Sequence, residues 1–463
     1  MIEQVQAQMS QRMQWALNHP TSCLAPYTTV DVRHSENNAA KIFQTCCCNL
    51  DARLFVPAPG SDAFANIKQQ QSEGKWPSAC YKCQKEEQNG GQSERLRAFA
   101  EIPQDRFEQF VENQTISEFE FRVKFSNFCG LACRSCGAEE SSTFSKVTNS
   151  PVSELYEADI SDDDAHWQFI TTRIPELMKK AEHFFVHFIG GETLIQPGMI
   201  KLLTWLVRTK LAANVNIRLT TAITAVPSTE LMEMLSKFRS VDIILSIDSV
   251  GKNYRYVRWP AKFAKIESNL ETLINYNAPL IVKNGKKVRI PKWKCAVSPV
   301  FSLNNIFYID DWLDYWHQWY QQQRIVFHNY MSNMTMQTNH LDIQALPTQY
   351  RPSLASLLKR CLTHPIFETY PTHLAAIYTF LTLTIIELEN NQYQPELWEK
   401  FLRHTAYFDQ KTKLSFAEFN KRLYNILTTD DQEKFKTILI NTNMSSSLQQ
   451  AMTFTRTNVQ PQI

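Results

Sequence analysis

Nine residues, Cys129-Gly-Leu-Ala-Cys133-Arg-Ser-Cys136-Gly137, constrain this chain more than any other stretch. Three thiols at spacings of four and three, with small side chains between them, form a tight loop that can aim three sulfurs at one centre. A structural zinc usually takes a fourth Cys or His, and the neighbourhood supplies none. Three thiolates on a four-iron cluster leave one iron open, which suits chemistry better than electron storage. The loop follows Glu118-Phe-Glu-Phe-Arg-Val-Lys-Phe125, whose alternation reads as a strand. Further on, Phe188-Ile-Gly190-Gly191-Glu192-Thr193-Leu194 is a second apolar strand ending in two glycines and a carboxylate. The glycines let the backbone approach a ligand closely, and Glu192 offers an acceptor for an ammonium group.

Together these features resemble the radical S-adenosylmethionine (radical SAM) enzymes, which carry CxxxCxxC after the first barrel strand and GGE after the second. The resemblance implies a [4Fe-4S] cluster on Cys129, Cys133 and Cys136, with Gly190, Gly191 and Glu192 holding the methionyl part of SAM. It also implies reductive cleavage of SAM to methionine and a 5′-deoxyadenosyl radical that abstracts hydrogen from a substrate. One position departs from the pattern: Ser135 stands where an aromatic residue often lies near the adenine, so no adenine contact is assigned.

The remaining cysteines are clustered too. Cys23 lies in Thr21-Ser-Cys23-Leu-Ala-Pro26-Tyr27, a triple follows at Cys46-Cys47-Cys48, and then comes Cys80-Tyr-Lys-Cys83. The CxxC pair is a half-site for zinc or iron–sulfur, or a redox pair. The succession Cys-Leu-x-Pro-aromatic, Cys-Cys, and Cys80-x-x-Cys83 running on to Glu87, Gly90, Ser93 and Arg95 is similar to the twitch-domain branch, whose module is a shortened SPASM domain. That resemblance implies an auxiliary [4Fe-4S] cluster on Cys23, Cys46, Cys80 and Cys83. Cys46 is taken from the triple because Phe43 and Thr45 place it after a short strand, with Cys47 nearly equivalent; a zinc ribbon on these ligands is the other reading.

A length of 463 residues calls for two or three cores. The net charge of +2 gives no reason to expect nucleic acid or an anionic membrane. Met1 to Leu17 contains Glu3 and Arg12 and lacks the apolar run of a secretory signal. The most apolar stretch, Leu374 to Leu388, is shorter than the ~20 residues a membrane span needs and reads as a buried helix. Eleven cysteines in that setting favour metal binding in a reducing cytoplasm over disulfides.

The expected organisation is an N-terminal twitch/SPASM-like module over residues 1–115, an α/β core over 116–330 and a helical region over 331–463. Strands are expected at 119–126, 183–189, 214–220, 241–248, 292–300 and 323–328, with helices at 163–182, 197–209, 228–238, 261–277 and 304–320. Six such units match the partial (β/α)6 barrel that the resemblance implies, with function at the strand C-termini. Ser246 and Asp248, two apart on the fourth strand, share a face; in relatives this strand end contacts the SAM ribose hydroxyls. Thr220 and Thr221 close the third strand at the same mouth. His183 and His187 are four apart, but both lie within a strand and are read as core or surface histidines rather than ligands. Cys295 and Cys361 are read as inert buried thiols. Helices at 354–361, 372–388 and 396–407 form a packing layer, and the polar residues from Thr442 onward fray.

The expected activity is radical SAM chemistry on a peptide or protein side chain. The auxiliary cluster would carry electrons, and flavodoxin or ferredoxin would be the donor. The alternatives are oxidation of a small sugar or alcohol, or a non-catalytic iron–sulfur or zinc binding module.

Overall fold

The computed structural model describes residues 2–33, 43–45, 54–55, 64–88, 93–114, 117–150, 161–277, 280–283, 286–289, 292–322, 339–370, 374–390 and 394–442. Its centre is a sheet with six parallel strands: β1 (Thr29–Arg33), β2 (Glu118–Val123), β3 (His183–Phe188), β4 (Val215–Thr221), β5 (Ser240–Leu245) and β6 (Lys294–Val297). They lie side by side in chain order, each hydrogen-bonded to the next. Two short antiparallel strands, Phe43–Thr45 and Leu54–Phe55, extend the sheet beyond β1.

Helices return the chain between strands: Ala165–Met178, Pro197–Arg208, Thr229–Leu235 and Phe263–Asn277, with Ile309–Gln321 after β6. Their starts are written locally. Asp164 caps the first of these through the amides of His166 and Trp167, Pro197 opens the second, and Ser228 caps the third through the Leu231 amide. One face of the sheet is apolar: Phe121, Val123, Val186, Phe188, Ile217, Leu219, Ile243 and Leu245 are buried against helical residues such as Ile170, Ile174, Leu203, Leu206 and Leu235. Each side chain of this size contributes about 1.5–3 kcal/mol on full burial.

The other face is polar, as the period-2 alternation requires. Arg122, His187, Arg218 and Asp242 are register partners across four adjacent strands. Glu120 forms ion pairs with Arg122 and Arg218 and accepts a hydrogen bond from His187. His187 Nδ1 lies 2.7 Å from Glu120 and its Nε2 2.7 Å from the Thr220 hydroxyl, so this histidine is fully engaged within the sheet. Burial holds its pKa below the usual value, keeping the ring neutral. His183 sits at the opposite end of β3 beside Glu182.

The five strands expected between 119 and 300 and the five helices beside them are present, shifted by a few residues at their ends. A further parallel strand, β1, comes from the N-terminal region, so sheet pairing crosses the expected boundary at residue 115. Four residues of its short run Thr28-Thr-Val-Asp-Val32 are β-branched, and Val30 is buried. The strand expected at 323–328 and the polar end from 443 onward lie outside the described residues. In the C-terminal region the expected layer consists of Arg351–Cys361, Ala375–Asn390 and Pro395–Thr412. Among the described residues no helix is long and apolar enough to cross a membrane.

Candidate functional site

The cysteine loop leaves the C-terminal end of β2 and is fixed from three directions. Glu192 donates its backbone N–H to the Phe128 carbonyl at 2.9 Å, and Gly191 donates to Glu140 at 3.2 Å, tying the loop to the segment after β3. Ala132 and Cys133 pair antiparallel with Trp259 and Arg258, and the Arg134 amide donates to Val257 at 2.9 Å. The third tie is Arg134 itself. Its guanidinium is buried, forms an ion pair with Asp409 of the helix Pro395–Thr412, stacks 3.7 Å over the Tyr256 ring and donates to the Tyr256 carbonyl. A residue inside the cysteine motif is thereby anchored to one 275 positions away.

Gly190 and Gly191 are required by this geometry. Both have positive φ, 78° and 55°. A Cβ on Gly191 would meet the Phe128 carbonyl oxygen at 2.5 Å, and one on Gly190 would meet the Lys124 side chain at 2.5 Å. Any side chain at 191 would push apart the two segments that carry Cys129 and Glu192.

The loop gathers Cys129, Cys133 and Cys136 with Ala222 and Leu131 in one buried cluster. Burial, the neighbouring Cys133 and the Glu192 charge push the Cys129 thiol up to about 12, against the Leu131 amide and Arg258. Cys133 and Cys136 act on each other, their mutual hydrogen bond lowering Cys133 and raising Cys136, so the two thiols lose their protons as a pair. Three thiols and a carboxylate thus face one another where negative charge is poorly tolerated, a donor set that a multiply charged cationic centre would satisfy. Among the described residues no three potential ligands converge closely enough for a single metal ion. Thiolates on separate irons of a cubane need no such convergence.

Glu192 is 1% exposed. Its carboxylate accepts from the Thr221 hydroxyl, from the Thr224 hydroxyl at 3.1 Å and from the Leu194 amide at 3.4 Å. Among the described residues no Lys, Arg or His forms an ion pair with it, unlike the buried carboxylates Asp248, Glu120 and Asp409. Burying a carboxylate without a cation is costly, so this arrangement suits a cationic ligand. Close by, the hydroxyl of the fully buried Tyr254 has no hydrogen-bond partner among the described residues. Its phenol is raised by burial and then by Asp248, Cys133 and Glu192 against Arg258, which places it among the same groups.

Asp248 is buried and grips Arg258 with both oxygens, at 2.7 and 2.9 Å, while Oδ1 also accepts the Val300 amide at 2.9 Å. It braces Arg258, which among the described residues is the one hydrogen-bond donor to Oδ2. Ser246 is half-buried next to it, its amide donating to the Thr221 carbonyl. Thr221 serves Glu192, whereas Thr220 serves His187. Arg258, Tyr254 and Arg134 are functional candidates that the motif reading passes over. The available signal was positional: Arg134 lies inside CxxxCxxC, and Tyr254 and Arg258 share the segment Tyr254-Arg-Tyr-Val-Arg258-Trp259-Pro260.

Of the four cysteines expected to hold a second cluster, Cys23 and Cys80 are buried and Cys83 is half-buried; Cys46 lies outside the described residues. Cys80 ends the short turn Ser78–Cys80, and Cys83 sits on the helix Tyr81–Gln88. Arg95 joins these pieces. Its guanidinium, 1% exposed, pairs with Glu87 on the Cys83 helix and donates to the carbonyls of Ala16, His19 and Ser22, the residue before Cys23. The Cys23 loop and the Cys80–Cys83 segment therefore belong to one packed unit.

No protein-family model and no curated protein matches the chain. Among solved structures, native anSMEcpe with bound AdoMet aligns at 18% identity over 46% of this chain and 52% of its own, with a TM-score of 0.34. SuiB of Streptococcus suis bound to S-adenosylmethionine aligns at 13% identity over 72% and 69%, TM-score 0.34. Native anSMEcpe with bound AdoMet and Cp18Cys peptide aligns at 15% identity over 52% and 60%, TM-score 0.33. The chain spans about half the length of the first of these. At such overlap the residues of the site have to carry the functional reading.

Proposed function

We propose that the chain is a radical SAM enzyme with the catalytic cluster on Cys129, Cys133 and Cys136. The observation that carries this is the joining of the three-thiol loop, through the Phe128 carbonyl and two positive-φ glycines, to a buried Glu192 that has no ion-pair partner among the described residues. Three thiolates hold a [4Fe-4S] cluster with one iron open. The cluster, when bound, supplies the electron that splits SAM to methionine and a 5′-deoxyadenosyl radical able to take hydrogen from a substrate.

The protein's own groups divide the remaining work. Glu192 receives the SAM ammonium in a desolvated, hydroxyl-lined pocket, where a charge-assisted hydrogen bond is strongest. Gly190 and Gly191 bring that carboxylate up to the cluster loop. Ser246 and Asp248 face the ribose. The buried Tyr254 hydroxyl donates to whichever bound group reaches it.

A second cluster on Cys23, Cys46, Cys80 and Cys83, held by the Arg95 brace, would take one electron from a substrate radical in a net oxidation. A fully ligated cluster has no iron open to substrate, so transfer is the role left to it. A flavodoxin or ferredoxin would reduce the system. The substrate class is a peptide or protein side chain. Phe128 and Ile195, 55% and 37% exposed, flank Cys129 and Glu192 and give the mouth an apolar rim that such a substrate can cover.

Iron analysis after anaerobic reconstitution tests the assignment. About eight irons per chain are expected, and about four after Cys129, Cys133 and Cys136 are changed to Ala. Tight zinc without iron in anaerobically prepared protein would point to a zinc-binding module.

A further inference from the structure

Arg258 stands where it can act on the cluster rather than on SAM. Its Nη1 lies 3.7 Å from Cys133 Sγ, within reach of an N–H···S hydrogen bond. Its backbone is the ladder partner of Cys133, so the guanidinium and the sulfur are held in register by main chain. The fork is closed on the far side by Asp248, through Nε and Nη2. Asp248 is fixed in turn by the Val300 amide and by Asn305, whose side-chain amide donates to the Asp248 carbonyl at 2.8 Å. Arg258 is 8% exposed, so its charge is little screened by water. Arg258 is also the cation whose charge acts on all three thiols of the loop.

Resting on the function proposed above, we infer that Arg258 is a positioning residue that donates to Cys133 Sγ and sets the reduction potential of the catalytic cluster, with Asp248 as its brace. Hydrogen bonds to cluster sulfurs and nearby positive charge stabilise the reduced, more electron-rich state and so raise the potential. The geometry separates two contributions. Because the Arg258–Asp248 pair is neutral as a unit, its direct effect comes through the N–H···S donor. Removing Arg258 alone adds an uncompensated carboxylate.

The test is an EPR-monitored redox titration of the reconstituted full-length protein, following the cluster signal that changes when SAM is added. In Arg258→Met the ratio of reduced to oxidised cluster at fixed potential should fall at least tenfold, equivalent to about 59 mV for a one-electron couple. In Arg258→Met/Asp248→Asn the fall should persist, since the donor is still missing although charge balance is restored. Arg258→Lys keeps the charge without the fork and should fall less; it serves if the Met variant does not fold. A double variant titrating like the parent, or a Lys or Met variant with full iron content and an unmoved potential, overturns the inference. A parent protein with iron but no SAM-responsive signal overturns the proposed function itself, and this inference with it.

Discussion

Replacing Glu192 with Gln changes charge and almost nothing else, which makes it the sharpest probe of the pocket. The carboxylate is buried and bonded to two threonine hydroxyls and two backbone amides, with no cation paired to it among the described residues. Gln fills the same volume; with its oxygen kept toward Thr221 and Leu194, its NH2 meets the Thr224 hydroxyl, which can turn to accept, and only the long 3.5 Å contact from the Thr224 amide is given up. The fold should therefore hold, and relief of an unpaired buried charge should leave the thermal midpoint unchanged or slightly raised. SAM should bind less well by one charge-assisted hydrogen bond, about 1.5–3 kcal/mol. At 1.4 kcal/mol per tenfold, that is roughly 10- to 150-fold in Kd. Calorimetry on anaerobically reconstituted parent and variant, with iron content measured in parallel, reads the effect. Unchanged SAM affinity in a variant with full iron would refute the assignment of Glu192 to the ammonium.

Gly191→Ala should fail more severely than Gly190→Ala. Its Cβ meets a main-chain oxygen at φ 55°, whereas that of Gly190 meets a side chain; iron retention and melting temperature distinguish the two. Asp409→Ala leaves Arg134 buried and unpaired and should cost ~3–5 kcal/mol in denaturant unfolding, with loss of the catalytic cluster despite a distance of 275 residues along the chain. Arg95→Met should cost a similar ~3–5 kcal/mol and reduce iron from about eight to about four per chain, the loss falling on the N-terminal set. His340, its ring centroid 4.8 Å from that of His404, is lowered by burial and then by Lys400 to about 4. Its contribution to stability is therefore complete above pH ~6.5 and lost as pH falls toward 4, at most ~3 kcal/mol. The unfolding free energy of His340→Phe should show a shallower acid slope than the parent over that window, and equal slopes would refute the burial argument.

The α/β alternation was legible because each strand is a short apolar run and each helix carries its own cap or proline. The thiol loop and Glu192 were legible because glycines and cysteines at fixed offsets leave the backbone few choices. What escaped were long-range partners. Nothing local in Arg134 announces Asp409, and nothing in Asp248 says that its oxygens are turned to Arg258 before any ribose. Such pairings depend on the three-dimensional return of distant segments, and period-based reading carries no term for them. β1 escaped for a related reason: a five-residue strand among cysteine motifs gains its stability from pairing with β2, which lies far along the chain.

Chromatographic detection of 5′-deoxyadenosine from anaerobically reconstituted, chemically reduced protein given SAM decides whether the chain cleaves SAM. Slow release of the nucleoside is expected even without substrate, and none when Cys129, Cys133 and Cys136 are changed to Ala. Release is also expected to survive replacement of Cys80 and Cys83, because the second cluster moves electrons rather than splitting SAM. Absence of 5′-deoxyadenosine from fully iron-loaded, reduced parent protein would contradict the account and leave a non-catalytic metal-binding module in its place.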